Sequence, residues 1–161
     1  MTPVKQKLFD KGHQVEELAR PIAEAYIGDE LFPATISNEI DGLPLLASMD
    51  GITMLGDKGF EHKMTNAELM SLVNNGEVPE THWPQLEQQI LVAGTDAILF
   101  VVSDGTEENR AQCWYESVPE RRKQLIAGWK QFQEDLANYV PEAKAELVEA
   151  EPVKDLPALR Y

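Results

Sequence analysis

The chain reads as an α/β protein, a sandwich of helices around a mixed β-sheet. Three observations predict this. The patterned segments run helix, strands, helices, strands, helix. The segment DAILFVVSDG is an unbroken apolar run ended by Asp104-Gly105, as expected of a strand buried on both faces. The segments before and after the strand-forming stretches carry apolar residues at helical rather than alternating spacing.

The elements follow in order. Residues 4–27 are expected to be helical, with Leu8, Val15, Leu18, Ile22 and Tyr26 at helical spacing. Pro21 should kink this helix or start a new turn, and Gly28 should stop it. LFPATISNEI, LPLLASMDGITM and KGFEHK are three strand regions, the last two joined by a turn at LGD, residues 55–57. TNAELMSLVNNG is a short helix that Thr65 caps, Glu68 completes as a capping box and Gly76 ends. HWPQLEQQILVAG is another, with Pro84 in its first turn and Gly94 at its end. RAQCWYESV is the hairpin partner of the buried strand. From Pro119 a helix runs to about residue 139, and Leu125, Trp129, Phe132, Leu136 and Tyr139 form a core-facing stripe on it. Its other face carries Arg121, Arg122, Lys123 and Lys130, the densest basic cluster in the chain, as either a solvated face or a contact for a DNA backbone. Residues 1–140 thus make one domain. Residues 141–161, with five acids, three bases and several prolines, read as an acidic tail or docking segment.

Bulk properties exclude several classes. At 161 residues the chain fits one domain with a real core. No apolar run approaches the roughly 18 residues a membrane span needs, and MTPVKQKLFDKG has no signal-peptide stretch. Cys113 is alone, so no disulfide framework or cysteine metal cluster arises within one chain, and a cytoplasmic location is the default. There is no Walker, GxGxxG or zinc-finger spacing and no internal repeat. The net charge of −14 argues against a nonspecific nucleic-acid binder. Net charge, however, governs solubility and steering, not what a single groove can bind.

One polar pattern stands out. In KGFEHK, Glu61 and Lys63 project from one face of a strand and Phe60 and His62 from the other. With a turn centred at residues 55 and 56, antiparallel pairing sets Gly51 opposite Phe60 and Asp50 opposite Glu61. Facing carboxylates repel unless a cation lies between them, and oxygen donors select hard cations such as Mg²⁺ or Mn²⁺. Lys63, one pleat on, would sit near the water that such an ion activates, as a phosphodiester hydrolase requires. On these residues alone, surface ion pairs and a hydrolytic metal site both stand, because D…ExK is a loose pattern. Ser48, two residues before Asp50, is either a satisfied strand hydroxyl or a phosphate contact. His13, His62 and His82 share no ligand spacing, Trp83 and Trp114 read as core or interface, and Cys113 has no evident base partner.

MDG followed by FEHK, with GHQVEELAR upstream and PQLEQQILVAG downstream, resembles the phage-type, lambda-exonuclease-like enzymes. These form the YqaJ-like viral recombinase family of the PD-(D/E)XK nuclease superfamily. The resemblance spans roughly residues 8–140, with four blocks in order. It implies a restriction-endonuclease-like core and a Mg²⁺-dependent exonuclease, with Mn²⁺ as an alternative ion. Such an enzyme digests double-stranded DNA from an end and leaves single strands for recombination, in a bacterial host and encoded by a phage or prophage. By this resemblance Asp50 and Glu61 are metal carboxylates, the backbone carbonyl of His62 is a further ligand, and Lys63 is the catalytic lysine. Glu16 is the helical acid that reaches the metal directly or through water, and Gln85 lines the site. Glu17 is expected on the surface. Glu87, where relatives often carry another glutamine, either binds or is helix surface. Relatives form ring-shaped trimers around DNA and work with a single-strand annealing protein, so Arg121, Arg122, Lys123 and Lys130 are candidates to line the DNA path. Met49 replaces the proline of the superfamily motif. Relatives also carry a substantial segment before the first helix, where fifteen residues precede Glu16 here, which leaves end preference and processivity open. The rival readings are an endonuclease or junction resolvase of the same superfamily, and an inactive acidic binding module that keeps the fold.

Overall fold

A computed structural model describes residues 2–142, so all but the first two residues of the expected acidic tail lie outside the described residues. Five strands lie side by side in chain order: β1 (Phe32–Ile40), β2 (Leu43–Ile52), β3 (Lys58–Met64), β4 (Ala97–Ser103) and β5 (Arg110–Tyr115). Neighbours are antiparallel except β3 and β4, which run parallel. A parallel pair needs a crossover, and α2 (Ala67–Asn74) with α3 (Trp83–Ala93) supplies it. Two further helices complete the chain, α1 (Pro3–Ile27) and α4 (Pro119–Ala137). The fold is the expected one, a mixed sheet flanked by helices.

β4 divides the core. Ile98, Phe100 and Val102 point to the side of α2 and α3, where Leu86, Ile90 and the inward residues of β2 pack with them. Leu99 and Val101 point to the other side, with Phe60, Leu31, Ala19 and Ala23. This two-sided burial explains why the run carries no polar alternation.

The stripe of α1 differs from expectation. Val15, Ala19 and Ala23 are its buried residues, whereas Leu8, Leu18 and Tyr26 are exposed. Alanines, rather than large side chains, let the helix lie close on Phe60 and Leu99. Pro21 sits inside the helix, which continues to Ile27 and ends at Gly28 with φ 86°. α2 is capped by Asn66, whose side chain accepts from the Leu69 amide, and not by Thr65. The capping position therefore lies one residue later than the capping-box pattern suggested.

The compact unit that holds the sheet ends at Lys130. Within it, Ile126 and Trp129 of α4 pack partly buried against the core. From Gln131 the chain belongs to a second unit, helical to Ala137. There Phe132, Leu136 and Tyr139 are exposed, so the expected core-facing stripe ends at Trp129.

Two irregularities shape the region around Asp50. The β1–β2 register shifts so that Asp50 and Gly51 together stand opposite Pro33, between the pairs Ala34–Met49 and Phe32–Ile52. Pro33 has no N–H to give to a ladder, which suits a bulge there. β2 and β3 then pair only at Gly51–Phe60 and Ile52–Gly59 before they part. A Cβ on Gly51 would lie 2.9 Å from Leu31 Cβ and 3.2 Å from the Phe60 ring, so close packing demands glycine immediately after Asp50.

Candidate metal and catalytic site

The expected register is present at Gly51–Phe60, but Asp50 and Glu61 do not form the next ladder pair. The bulge and the parting of the strands turn Asp50 aside. Its Oδ2 accepts from the His62 amide at 2.9 Å, which brings the Asp50 carboxylate beside the peptide that follows Glu61.

Glu61 is 3 % exposed, and α3 holds it by two glutamines one helical turn apart. Gln85 Nε2 donates to Glu61 Oε1 and Gln89 Nε2 to Glu61 Oε2, each at 2.8 Å. Gln89 also donates to the Ser48 carbonyl at 2.9 Å, linking α3 to β2. Lys63 Nζ lies 3.4 Å from Glu61 Oε1 and donates to Gln85 Oε1 at 3.0 Å. The strand alternation that puts Glu61 and Lys63 on one face is thus met by one face of α3. Gln89 was missed from sequence. Its signal was its position four residues after Gln85, on the same side of a helix.

Glu16 approaches from α1. Arg20, one turn later, donates from Nη2 to Glu16 Oε2 at 2.6 Å and from Nε to the Asp50 carbonyl at 3.3 Å. Arg20 therefore fixes α1 to the end of β2, a role that GHQVEELAR did not disclose. Burial, then the charge of Asp50 and a hydrogen bond shared with it, raise the Glu16 carboxyl to about 7 against the opposing pull of Arg20. Burial and the Asp50 charge likewise raise Glu61 to about 7, against the Gln89 bond and Lys63. Burial holds the His62 imidazole down at about 4. The ring is neutral near pH 7, and its Nε2 meets Ser103 Oγ at 2.8 Å.

Glu16, Asp50 and Glu61 are hard oxygen donors, and burial together with the charge of Asp50 raises the proton affinities of Glu16 and Glu61. That is the electrostatic setting a divalent cation relieves, so the donor set fits Mg²⁺ or Mn²⁺. The carboxylates are neighbours rather than a closed cage. Among the described residues no three His, Cys, Asp or Glu side chains are gathered tightly enough to grip an ion as they stand. Protein donors occupy the oxygens instead: His62 N on Asp50, Arg20 on Glu16, and the two glutamines on Glu61.

A cleft of about 310 Å³ opens on this cluster, lined by Leu8, Phe9, Gly12, His13, Glu16, Asp50, Glu61, His62, Lys63 and Met64. A second groove of about 630 Å³ shares Lys63 and continues past Asn66, Glu68 and Thr81 to His82. Phe9 and His13 meet edge-on at 4.9 Å on the cleft wall.

The other candidates lie apart from this cluster. Ser48 is exposed on β2, and its carbonyl, not its hydroxyl, takes the Gln89 bond. Glu17 is exposed, as expected. Glu87 is neither a ligand nor helix surface. It is fully buried on the side of α3 away from Glu61, where it accepts from Tyr115 Oη, Ser117 Oγ and the Val118 amide. Tyr115 is pushed up to about 12 by burial and by its bond to Glu87. The basic residues of α4 all have partners: Arg121 stacks 5.3 Å from the Trp83 ring, Arg122 lies 4.0 Å from Glu87, Lys123 lies 3.8 Å from Glu120 and Lys130 lies 3.7 Å from Asp41.

No protein-family model matches the chain, and no curated protein matches it. Solved structures do. An exonuclease, LHK-Exo, in complex with dAMP superposes with a TM-score of 0.67 at 18 % identity, covering 80 % of this chain and 68 % of that one. Another structure of the alkaline exonuclease LHK-Exo, from Laribacter hongkongensis, gives 0.57 at 18 % identity over 81 % of this chain and 72 % of that one. At this identity the likeness establishes a shared fold.

Proposed function

We propose that the chain is a metal-dependent deoxyribonuclease that digests double-stranded DNA from an end and leaves single strands for phage-type recombination. The observation that carries this reading is the buried Glu61. It is gripped by Gln85 and Gln89, has Lys63 at 3.4 Å, and stands beside Asp50 where β2 and β3 part. A surface ion pair needs neither the burial nor the two amides. The likeness in fold to an alkaline exonuclease supports the same reading.

Asp50, Glu61, Glu16 and the His62 carbonyl would hold the ion. When bound, Mg²⁺ activates water for attack on a phosphodiester and offsets the charge of the transition state. The chain's own residues do the rest. Gln85 and Gln89 fix both oxygens of Glu61. Lys63 Nζ, held by Gln85, orients the attacking water and balances charge developing on the phosphate. Arg20 keeps Glu16 against Asp50. A ring-shaped trimer and a single-strand annealing partner belong to the same proposal, with the recombination role.

End-labelled linear duplex and closed circular DNA, each incubated with the protein and Mg²⁺, test it. Progressive release of label with the circle left intact is the expected result. Cutting of the circle would favour an endonuclease or junction resolvase. Inertness toward both, in Mg²⁺ and in Mn²⁺, would favour the inactive acidic binding module, which the net charge of −14 suits.

A further inference from the structure

Among the described residues, the lysines and arginines between positions 20 and 130 are all engaged, by carboxylates, by the Gln112 side chain or by aromatic rings. Lys5, Lys7 and Lys11 are different. All three are exposed, and no described acid pairs with their side chains. They lie on the first turns of α1, which run beyond the core: the first buried residue of that helix is Val15.

The stripe on which Lys5 lies leads to the active cleft. Lys5, Phe9, Gly12 and Glu16 are spaced four, three and four apart, so they share one face of the helix. Phe9, Gly12 and Glu16 line the cleft. Lys5 stands one turn beyond Phe9, and eleven residues of helix put it roughly 16 Å from Glu16. A B-form strand advances about 3.4 Å per nucleotide, so that distance is about five nucleotides. Lys7 and Lys11 stand on the far side of the same turns. In a chain of net charge −14, the turns up to Lys11 carry three lysines against one acid, Asp10, which accepts from Gln6, and that local positive charge near an acidic cleft matches a polyanion.

We propose that the N-terminal turns of α1, and not the basic face of α4, form the DNA-backbone contact, with Lys5 holding a phosphate about five nucleotides from the scissile bond. Lys7 and Lys11 add long-range attraction without reaching the cleft. The inference rests on the nuclease reading and names where its substrate is held.

The test is the salt dependence of Mg²⁺-dependent digestion of linear duplex, measured as kcat/KM for the wild type, Lys5→Ala, and the double variant Lys123→Ala/Lys130→Ala. One lost phosphate contact lowers the magnitude of the log–log salt slope by about 0.9. Lys5→Ala should show that drop, with KM raised at fixed salt, kcat kept and the melting temperature unchanged. The α4 double variant should keep the wild-type slope. Equal slopes for wild type and Lys5→Ala, or a drop confined to the α4 variant, would overturn the placement and leave the nuclease reading intact. A wild-type protein that neither binds nor digests DNA would overturn both.

Discussion

Among single residues, Glu61 and Glu16 carry the sharpest consequence. Each carboxyl has an ordinary value of 4.5 and is raised to about 7 in the fold. Below the lower value both folded and unfolded chains hold the protons. Between the two values the folded chain holds more of them, so stability falls as pH rises through that window and stays lower above it. A divalent cation needs the ionised forms, so its binding competes with protons and strengthens through about pH 7. The rise in melting temperature on adding Mg²⁺ should therefore be larger at about pH 8 than at about pH 6, as read by differential scanning calorimetry. An equal rise at both would remove the carboxylates as ligands. Gln89 gives a second prediction. Gln89→Leu leaves Glu61 Oε2 and the Ser48 carbonyl without their donor, which should cost about 1–3 kcal/mol in urea unfolding. Because the Gln89 bond also lowers the proton affinity of Glu61, the pH midpoint of the Mg²⁺ effect should move up. Unchanged stability and midpoint would mean that Gln89 only fills space.

At the scale of elements, α3 is the part that works in two directions. One side grips Glu61 through Gln85 and Gln89, and the other buries Glu87 against Tyr115, Ser117 and the start of α4. Glu87→Ala strands those donors and should cost about 1–3 kcal/mol for each group left unsatisfied. A urea midpoint within error of wild type would contradict the anchoring role. The same element shows what could be read from sequence and what could not. Alternation in FEHK put Glu61 and Lys63 on one face, and Pro84 and Gly94 marked the helix that meets them. The Gly51–Phe60 pairing also followed from the turn. The bulge at Asp50 was hidden, because it depends on which residue of β1 lies opposite, and Pro33 is distant in sequence. The tie from Arg20 to β2 was hidden for a similar reason: its i,i+4 pairing with Glu16 is a residue pattern, but its other partner is the Asp50 carbonyl, and backbone groups leave no such mark. Glu87 read as either a binding residue or helix surface, and its buried structural role was hidden because its partners arrive from β5 and the turn after it.

On the scale of the whole molecule, the acidic composition and the nuclease reading fit once charge is located rather than summed. The basic residues of α4 are spent on Glu87, Glu120, Asp41 and aromatic rings, while the lysines of α1 pair with no described acid, and Lys5 stands one turn beyond Phe9 on the helix face that leads to the cleft. No helix among the described residues is long and apolar enough to cross a membrane. The account depends most on one claim, that the cluster around FEHK hydrolyses DNA. The most direct measurement compares wild type and Lys63→Ala on linear double-stranded DNA with Mg²⁺, each also checked for an unchanged melting temperature. Metal-dependent loss of DNA by the wild type, reduced at least about a hundredfold in the variant, is the predicted result. Equal activity in the two proteins, or none in the wild type, would contradict it and return Glu61 and Lys63 to a structural ion pair.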